Sequence, residues 1–170
     1  MQTIIGGANR KAYNNEYLEH RIHSMVNNER RMRRLLDMGW DSRLCEIARE
    51  HSIDMALHKY FSHNDRLGRE LDSRYKQASY ICSGGGENIY CIEGINRPCI
   101  VTRAVSGVVV GREVDYDWLS EDEIAETAVH GWMNSTGHRG NILQPYWKVK
   151  GVGVAFSSDS KVYITEDFAL

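Results

Sequence analysis

Residues 120–143 read Ser-Glu-Asp-Glu-Ile-Ala-Glu-Thr-Ala-Val-His-Gly-Trp-Met-Asn-Ser-Thr-Gly-His-Arg-Gly-Asn-Ile-Leu. Ser120 followed three residues later by Glu123 is a capping box. The hydroxyl accepts from the amide at the third helical position, and the glutamate reaches back to the cap's own N–H. Ile124, Ala125, Ala128, Val129, Trp132 and Met133 then recur at steps of three and four, which predicts a helix with one apolar face. The helix is expected to stop near Ser135, with Gly137 as a left-handed cap. His138 follows directly, at the kind of position beside a rigid element where working side chains are held.

Upstream, Tyr13 to Met38 reads as one long helix with Leu18, Ile22, Met25, Glu29, Met32 and Leu36 at helical spacing and Gly39 at its end. Glu29 interrupts the stripe and reads as a helix-edge residue paired with a nearby arginine. Arg30, Arg31, Arg33 and Arg34 read as a solvated face. A second helix is predicted from Ser42 to Tyr60, with Asp41 as N-cap. Its stripe of Leu44, Ala48, His51, Met55 and His58 makes both histidines packed, hydrogen-bonded residues rather than ligands. Leu67 to Ala78 is a third, short helix. Cys82 to Gly86 is a loop that lacks the Lys-Ser/Thr of a phosphate-binding loop. Ile100 to Val110 is β-branched enough for one or two strands. Val149–Phe156 and Lys161–Phe168 alternate as strands, and Ser157 to Ser160 joins them as an antiparallel hairpin. Helices in front and a hairpin behind give an α+β domain.

The chain has 170 residues, of which 42% are hydrophobic and 26% charged, the composition of one ordinary globular domain. Lys and Arg number 21 against 23 Asp and Glu, a net charge of −2, which argues against a protein that coats nucleic acid. No apolar run approaches the ~20 residues that span a bilayer. Met1 to Arg10 contains no charged-then-apolar leader, so the sequence reads as cytosolic or as lacking a leader carried elsewhere. The four cysteines at 45, 82, 91 and 99 form no Cys-x-x-Cys pair, so a zinc ribbon is not expected. They read as buried or half-buried thiols, or as one disulfide within Cys82, Cys91 and Cys99; Cys45, on the apolar side of the second helix, is expected to stay free.

Three chemistry-bearing residues fall just outside the predicted helices: His63, Glu87 after the glycine run, and His138. Two imidazoles and one carboxylate can hold a divalent transition metal with a position open for water, or act as an acid/base pair without one. There is no His-Glu-x-x-His and no Gly-x-Ser-x-Gly. Trp118, Tyr146 and Trp147 line an apolar groove or pack around the final hairpin.

The stretch Gly131 to Leu143 resembles the signature of the CAP superfamily, the cysteine-rich secretory, antigen 5 and pathogenesis-related 1 proteins, also called SCP/TAPS, and most of all its prokaryotic branch. Four further segments support the resemblance in the right order: His23 to Arg30, Ala48 to His63, Gly86-Glu87-Asn88-Ile89, and Gly151 to Val154 followed by Tyr163 to Phe168. The resemblance implies a three-layer α-β-α sandwich with a central antiparallel sheet over residues 15–170, after an N-terminal extension at 1–14. It implies a cleft with two histidines, matched by His63 and His138, and two acids, of which Glu87 matches one. Asn134 or Ser135 stands where eukaryotic members carry the second acid. What remains is a site suited to weak Zn²⁺ binding through His63 and His138, in a cleft that Glu87, Asn88, Asn134 and Ser135 complete. The segment from about 90 to 117 departs from the prokaryotic pattern and reads as an inserted hairpin or long loop beside the cleft.

Members of this superfamily have been linked to lipid binding, defence, signalling and proteolysis, so the fold alone decides no function. The incomplete acid set favours a secreted or cell-surface binding module that takes a lipid, glycan or peptide, with no nucleic-acid partner and as a monomer. A metal-assisted hydrolase would instead use Glu87 as the base beside His63 and His138. In a structural or adhesion domain, Arg139 and Asn141 would be hydrogen-bonding struts.

Overall fold

Helix and strand starts follow the side chains able to satisfy them. The structure, a computed structural model, describes residues 11–170, without the side chains at 99, 103 and 112–114. Asn14 accepts from the Tyr17 amide at 3.0 Å and opens α1, Asn15–Arg31. After β1, Gly39–Trp40, the Asp41 carboxylate accepts from the amides of Arg43 and Leu44 at 2.9 and 3.0 Å and opens α2, Ser42–His58. Then come α3, Leu71–Gln77; β2, Gly85–Glu93; β3, Ile95–Val105; and β4, Val108–Trp118. The Ser120–Glu123 capping box starts α4, Glu121–Asn134, which is followed by α5, Thr136–Ile142, β5, Val149–Phe156, and β6, Lys161–Ala169.

The main sheet runs β1-β5-β6-β2; β3 and β4 form a separate two-stranded sheet. Strand alternation divides the main sheet's side chains between two helical layers. Val152, Val154, Val162, Ile164 and Phe168 meet Leu18, Ile22 and Val26 of α1, Ile124, Val129 and Trp132 of α4, and Ile142 of α5 in one core. On the opposite face Ile89, Ala155 and Tyr163 pack against Met55 and Ala56 of α2, and Leu44, Ile47, Tyr75 and Ala169 form a second patch. The three-layer α-β-α order is thus as the sequence implies. The sheet is mixed, however: β1 pairs in parallel with β5, and the other contacts are antiparallel. Gly153 is where α2 lies against the sheet, since a Cβ there would collide with the backbone of Ala48 and Arg49.

Several boundaries differ from the sequence reading for identifiable reasons. α1 ends at Arg31, not Met38, because Arg33 and Arg34 turn back onto the carbonyls of Arg30 and Arg31, and Arg34 is left-handed at φ 60°. Met32 and Leu36 are therefore 61% and 86% exposed, and Gly39 opens a strand instead of closing a helix. Arg30 does not belong to a solvated face. It is fully buried, and its guanidinium donates to the carbonyls of Leu36, Ile142 and Gln144 at 2.7–2.9 Å. Glu29 does pair with Arg33, at 2.7 Å. α2 ends at His58 rather than Tyr60, because Lys59 is left-handed at φ 55°, and His58 is exposed beside Asp54 rather than packed. α3 is shorter than expected, and Gly137 lies inside α5 rather than acting as a left-handed cap. Cys45, Cys82 and Cys91 are free thiols, Cys45 buried as expected; the Cys99 side chain lies outside the described residues.

The segment between β2 and α4 is a hairpin, but it does not stand beside Glu87. Its base is fixed where Gly94 donates to Ser160 O and Leu119 donates to Gly94 O, at 2.7 and 3.0 Å. Six strand steps separate Glu87 from Glu93, about 20 Å, so the hairpin leaves from the opposite end of β2.

Candidate ligand and metal site at the sheet edge

β2 is an edge strand, so one row of its backbone groups has no strand partner. Two of those carbonyls are covered by side chains from the signature stretch. Trp132 Nε1 donates to Ile89 O, and Asn141 Nδ2 donates to Glu87 O, each at 3.0 Å. These carbonyls are two residues apart and therefore point the same way, and α4 and α5 supply one donor each. Asn141 Nδ2 also donates to Asn88 Oδ1 at 3.0 Å, Asn88 Nδ2 donates to the His138 carbonyl at 3.2 Å, and Trp147 Nε1 donates to the Asn141 carbonyl at 3.0 Å. This set pins the first turns of α5 to the strand edge and fixes where the His138 ring stands.

Glu87 and Asn88 point to opposite faces because they are neighbours in a strand. Asn88 is fully buried on the α5 side, where it is a strut rather than part of an open lining. Glu87 is buried on the α2 and α3 side. Its Oε1 lies 2.7 Å from His63 Nδ1, its Oε2 lies 2.5 Å from Arg74 Nη2, and His51 Nε2 stands 4.0 Å from Oε2. His63 is 55% exposed at the side chain and presents its other nitrogen outward. His138 is half-buried across the strand edge, and its ring has no hydrogen-bond partner among the described residues. Asn134 is exposed and Ser135 half-buried at the junction of α4 and α5. His130 is exposed and lines a small groove with α1 residues. Trp147 stacks on Phe168 of the final hairpin with centroids 5.8 Å apart, while Tyr146 is exposed.

The electrostatics follow from this packing. Burial pushes the Glu87 carboxyl up, but its hydrogen bond to His63 and the charge of Arg74 outweigh burial and hold it below its ordinary value. Burial, and next the charge of His63, lower His138, so its imidazole is neutral at pH 7. Burial and Arg74 likewise lower His51, whose Nε2 lies 3.0 Å from Ser62 O. Asp167, opposite Glu87 in the β2–β6 register, is fully buried, and burial together with the Glu87 charge holds it well above the carboxylate range, as a neutral acid.

The side chains fit a metal in one limited way. The Glu87 contact at Nδ1 orients His63 and leaves Nε2 as the ligating nitrogen, the arrangement in which a carboxylate steers a metal-binding imidazole from behind. Neutral His138 supplies a second nitrogen. Among the described residues, no group of three or more His, Cys, Asp or Glu is arranged around one point to hold an ion.

Sequence reasoning missed Arg74 and Asp167, and it read His51 as packed and hydrogen-bonded, as it is, without its approach to Glu87. Arg74 carries no local motif; it lies on a seven-residue helix and acts only through the fold. The buried strand Lys161–Ala169 did hold a signal, because Glu166 and Asp167 interrupt an otherwise apolar and aromatic run. Two consecutive acids in a strand buried on both faces need partners. Glu166 has Lys150 at 2.7 Å, whereas both oxygens of Asp167, the cross-strand neighbour of Glu87, are without a hydrogen-bond partner among the described residues.

Comparison with known proteins agrees with the fold. The family described as "CAP: Cysteine-rich secretory protein family" matches residues 23–168. A Bacillus subtilis (strain 168) protein called "Uncharacterized membrane protein YlbC" is 27% identical over 150 residues, which cover 88% of this chain and 34% of that protein. The crystal structure of an extracellular protein containing an SCP domain from Bacillus anthracis superposes with a TM-score of 0.65 at 25% identity, over 91% of this chain and 41% of that one. An outer surface protein from Borrelia burgdorferi superposes with a TM-score of 0.64 at 15% identity, over 87% of this chain and 88% of that one. The chain therefore spans about a third to two fifths of the two Bacillus relatives. No helix among the described residues is long and apolar enough to cross a membrane.

Proposed function

We propose that this chain, which belongs to the cysteine-rich secretory protein family, is an extracellular binding module that carries no catalysis of its own. Its cleft presents His63 and His138 from the two sides of the β2 edge. These two imidazoles take a divalent ion such as Zn²⁺ weakly, with water or a ligand group filling the other positions. The ligand is a peptide or a glycan rather than an acyl chain, because the residues that lead into His138 at the junction of α4 and α5, Asn134, Ser135 and Thr136, are polar.

The observation that carries this reading is the state of Glu87. A general base needs a free lone pair and an affinity for protons near the working pH. Both Glu87 oxygens are engaged, one by His63 and one by Arg74, and its acidity is raised. That carboxylate is suited to orienting His63 and ill suited to taking a proton from water. An extracellular setting is supported by the Bacillus anthracis and Borrelia relatives, whose names place them outside the cell or on its surface.

Calorimetric titration with Zn²⁺ tests the proposal. The wild type is expected to bind weakly, and binding should fade as pH drops below ~6.5, where free imidazole protonates. The double variant His63→Ala, His138→Ala should lose it. Equal binding by both proteins would remove the sheet-edge cleft as the site, and turnover of peptide substrates that Zn²⁺ supports and chelation abolishes would restore the metal-assisted hydrolase reading.

A further inference from the structure

The hairpin of β3 and β4 makes no use of the residues at the cleft. Strands of eleven residues reach about 35 Å from their base. They turn through two left-handed residues, Ser106 at φ 51° and Gly107 at φ 82°, a two-residue connection suited to strand twist. A lone two-stranded ribbon is marginal in water, and this one exposes apolar side chains where a solvated ribbon would carry polar ones. Ile100, Val101, Val105, Val108, Val109 and Val110 are each 41–72% exposed.

The register shows how these side chains are arranged. Val101, Val105 and Val108 share one face, and Ile100 and Val109 share the other, with an extra residue, Val110, at the irregularity between Arg103 and Ala104. Ahead of Arg103 the tip, with Val105 and Val108 on one face and Ala104 and Val109 on the other, is apolar all round, whereas Ile100 and Val101 lie behind it, Val101 opposite Glu113. A protein partner with one flat surface would cover one face and leave the other in water. A fluid apolar medium covers both.

Charge along the hairpin is sorted as well. Residues 98–112 contain no acid and two arginines, Arg103 and Arg112; Glu113, Asp115 and Asp117 come only toward the base. By register, Arg103 faces Gly111 and Arg112 faces Thr102, which places both about 10–13 Å behind the turn. An apolar tip sinks about 5–10 Å into a bilayer interface, so both arginines come to the level of the lipid phosphates. The acids stay on the water side. Two copies meeting tip to tip would instead bring like charges together.

We propose that the hairpin tip is a docking device for an anionic lipid surface. It enters only the interfacial layer, because its two open strand edges would have unpaired backbone groups in the hydrocarbon. The module is thereby held against a membrane by the tip of a hairpin whose base alone lies about 20 Å along β2 from Glu87, leaving the cleft free for its ligand.

Flotation of the full chain with vesicles tests this. The expected result is binding to phosphatidylcholine vesicles containing about one third phosphatidylglycerol, weaker binding to phosphatidylcholine alone, and loss at high salt. Val108→Asp with Val109→Asp should weaken binding at least about tenfold, since a charge replaces each apolar contact. Arg103→Gln with Arg112→Gln should also weaken it, by about 25-fold at about fivefold per arginine, and should flatten the salt dependence. Unchanged melting temperatures would verify that both variants fold, and His63→Ala with His138→Ala should bind vesicles like the wild type. Three results would each overturn the proposal: no wild-type binding to anionic vesicles, undiminished binding by either hairpin variant, or a wild-type dimer in light scattering that the valine variant dissociates, which would make a second copy the occupant.

Discussion

Trp132→Ala should lower the stability of the domain by about 3–5 kcal/mol, the range for truncating a large buried aromatic. The Trp132 side chain is fully buried in the core between α4 and the sheet, with Tyr90 edge-on at 6.3 Å. Its Nε1 also covers Ile89 O on the open edge of β2. The substitution therefore opens a cavity and uncovers a carbonyl at once, and a typical domain has only about 5–15 kcal/mol in total. His138→Ala is expected to stay within about 1 kcal/mol of the wild type. The histidine holds α5 to Asn88 through its backbone carbonyl, which alanine keeps. Urea melts of both variants in chelator, followed by Zn²⁺ titration of His138→Ala, should find one protein crippled in folding and the other in binding. If His138→Ala melts as early as Trp132→Ala, the histidine is a structural strut and the binding proposal loses one of its two ligands.

The same contrast explains what could be read in the chain beforehand. Trp132 declares itself, because it continues an apolar stripe that a capping box has already set on a helix. Asp41 and Ser120 are likewise legible, since N-cap chemistry is local. Arg30 was not legible as a core residue. It sits within a run of four arginines in five positions, and only the return of the chain after α5 brings the carbonyls of Ile142 and Gln144 over it. Local rules also failed for Gly39 and Gly137, where a glycine near a helix end looks like a cap whether or not the chain turns there. At the site, His63, Glu87 and His138 came from their motif segments, while the residue that sets their chemistry did not. Arg74 meets Glu87 through the packing of α3 against the end of β2, a contact between segments that neither sequence pattern encodes.

Arg74→Met should for that reason be the most informative single change at the site. Arg74 is nearly buried, and its Nη2 holds Glu87 at 2.5 Å while also reaching the His63 carbonyl at 3.2 Å. Removing one partner of a buried ion pair costs about 3–5 kcal/mol. His51, 4.0 Å from Glu87 and relieved of Arg74's charge, should offset part of this by taking a proton. The cost should depend on pH in a definite direction. In the wild type the depressed Glu87 contributes stability above its unfolded pKa of about 4.3, and that contribution disappears as pH falls through its lower folded value. Asp167 works in the opposite sense: its raised folded pKa contributes stability below about 3.9 that is lost as pH rises through the folded value. Without Arg74, burial dominates at Glu87 as well, and both carboxyls favour the folded state only when protonated. The gap between variant and wild type in urea melts should therefore be widest at pH 7–8 and should narrow toward pH 5. A gap constant across that range would mean that Arg74 acts by filling space rather than by its charge. Zn²⁺ affinity supplies the functional counterpart. A Glu87 that holds its own proton no longer steers His63 as an anion, and loss of such a partner lowers metal affinity about 10–100-fold, although both imidazoles remain in place.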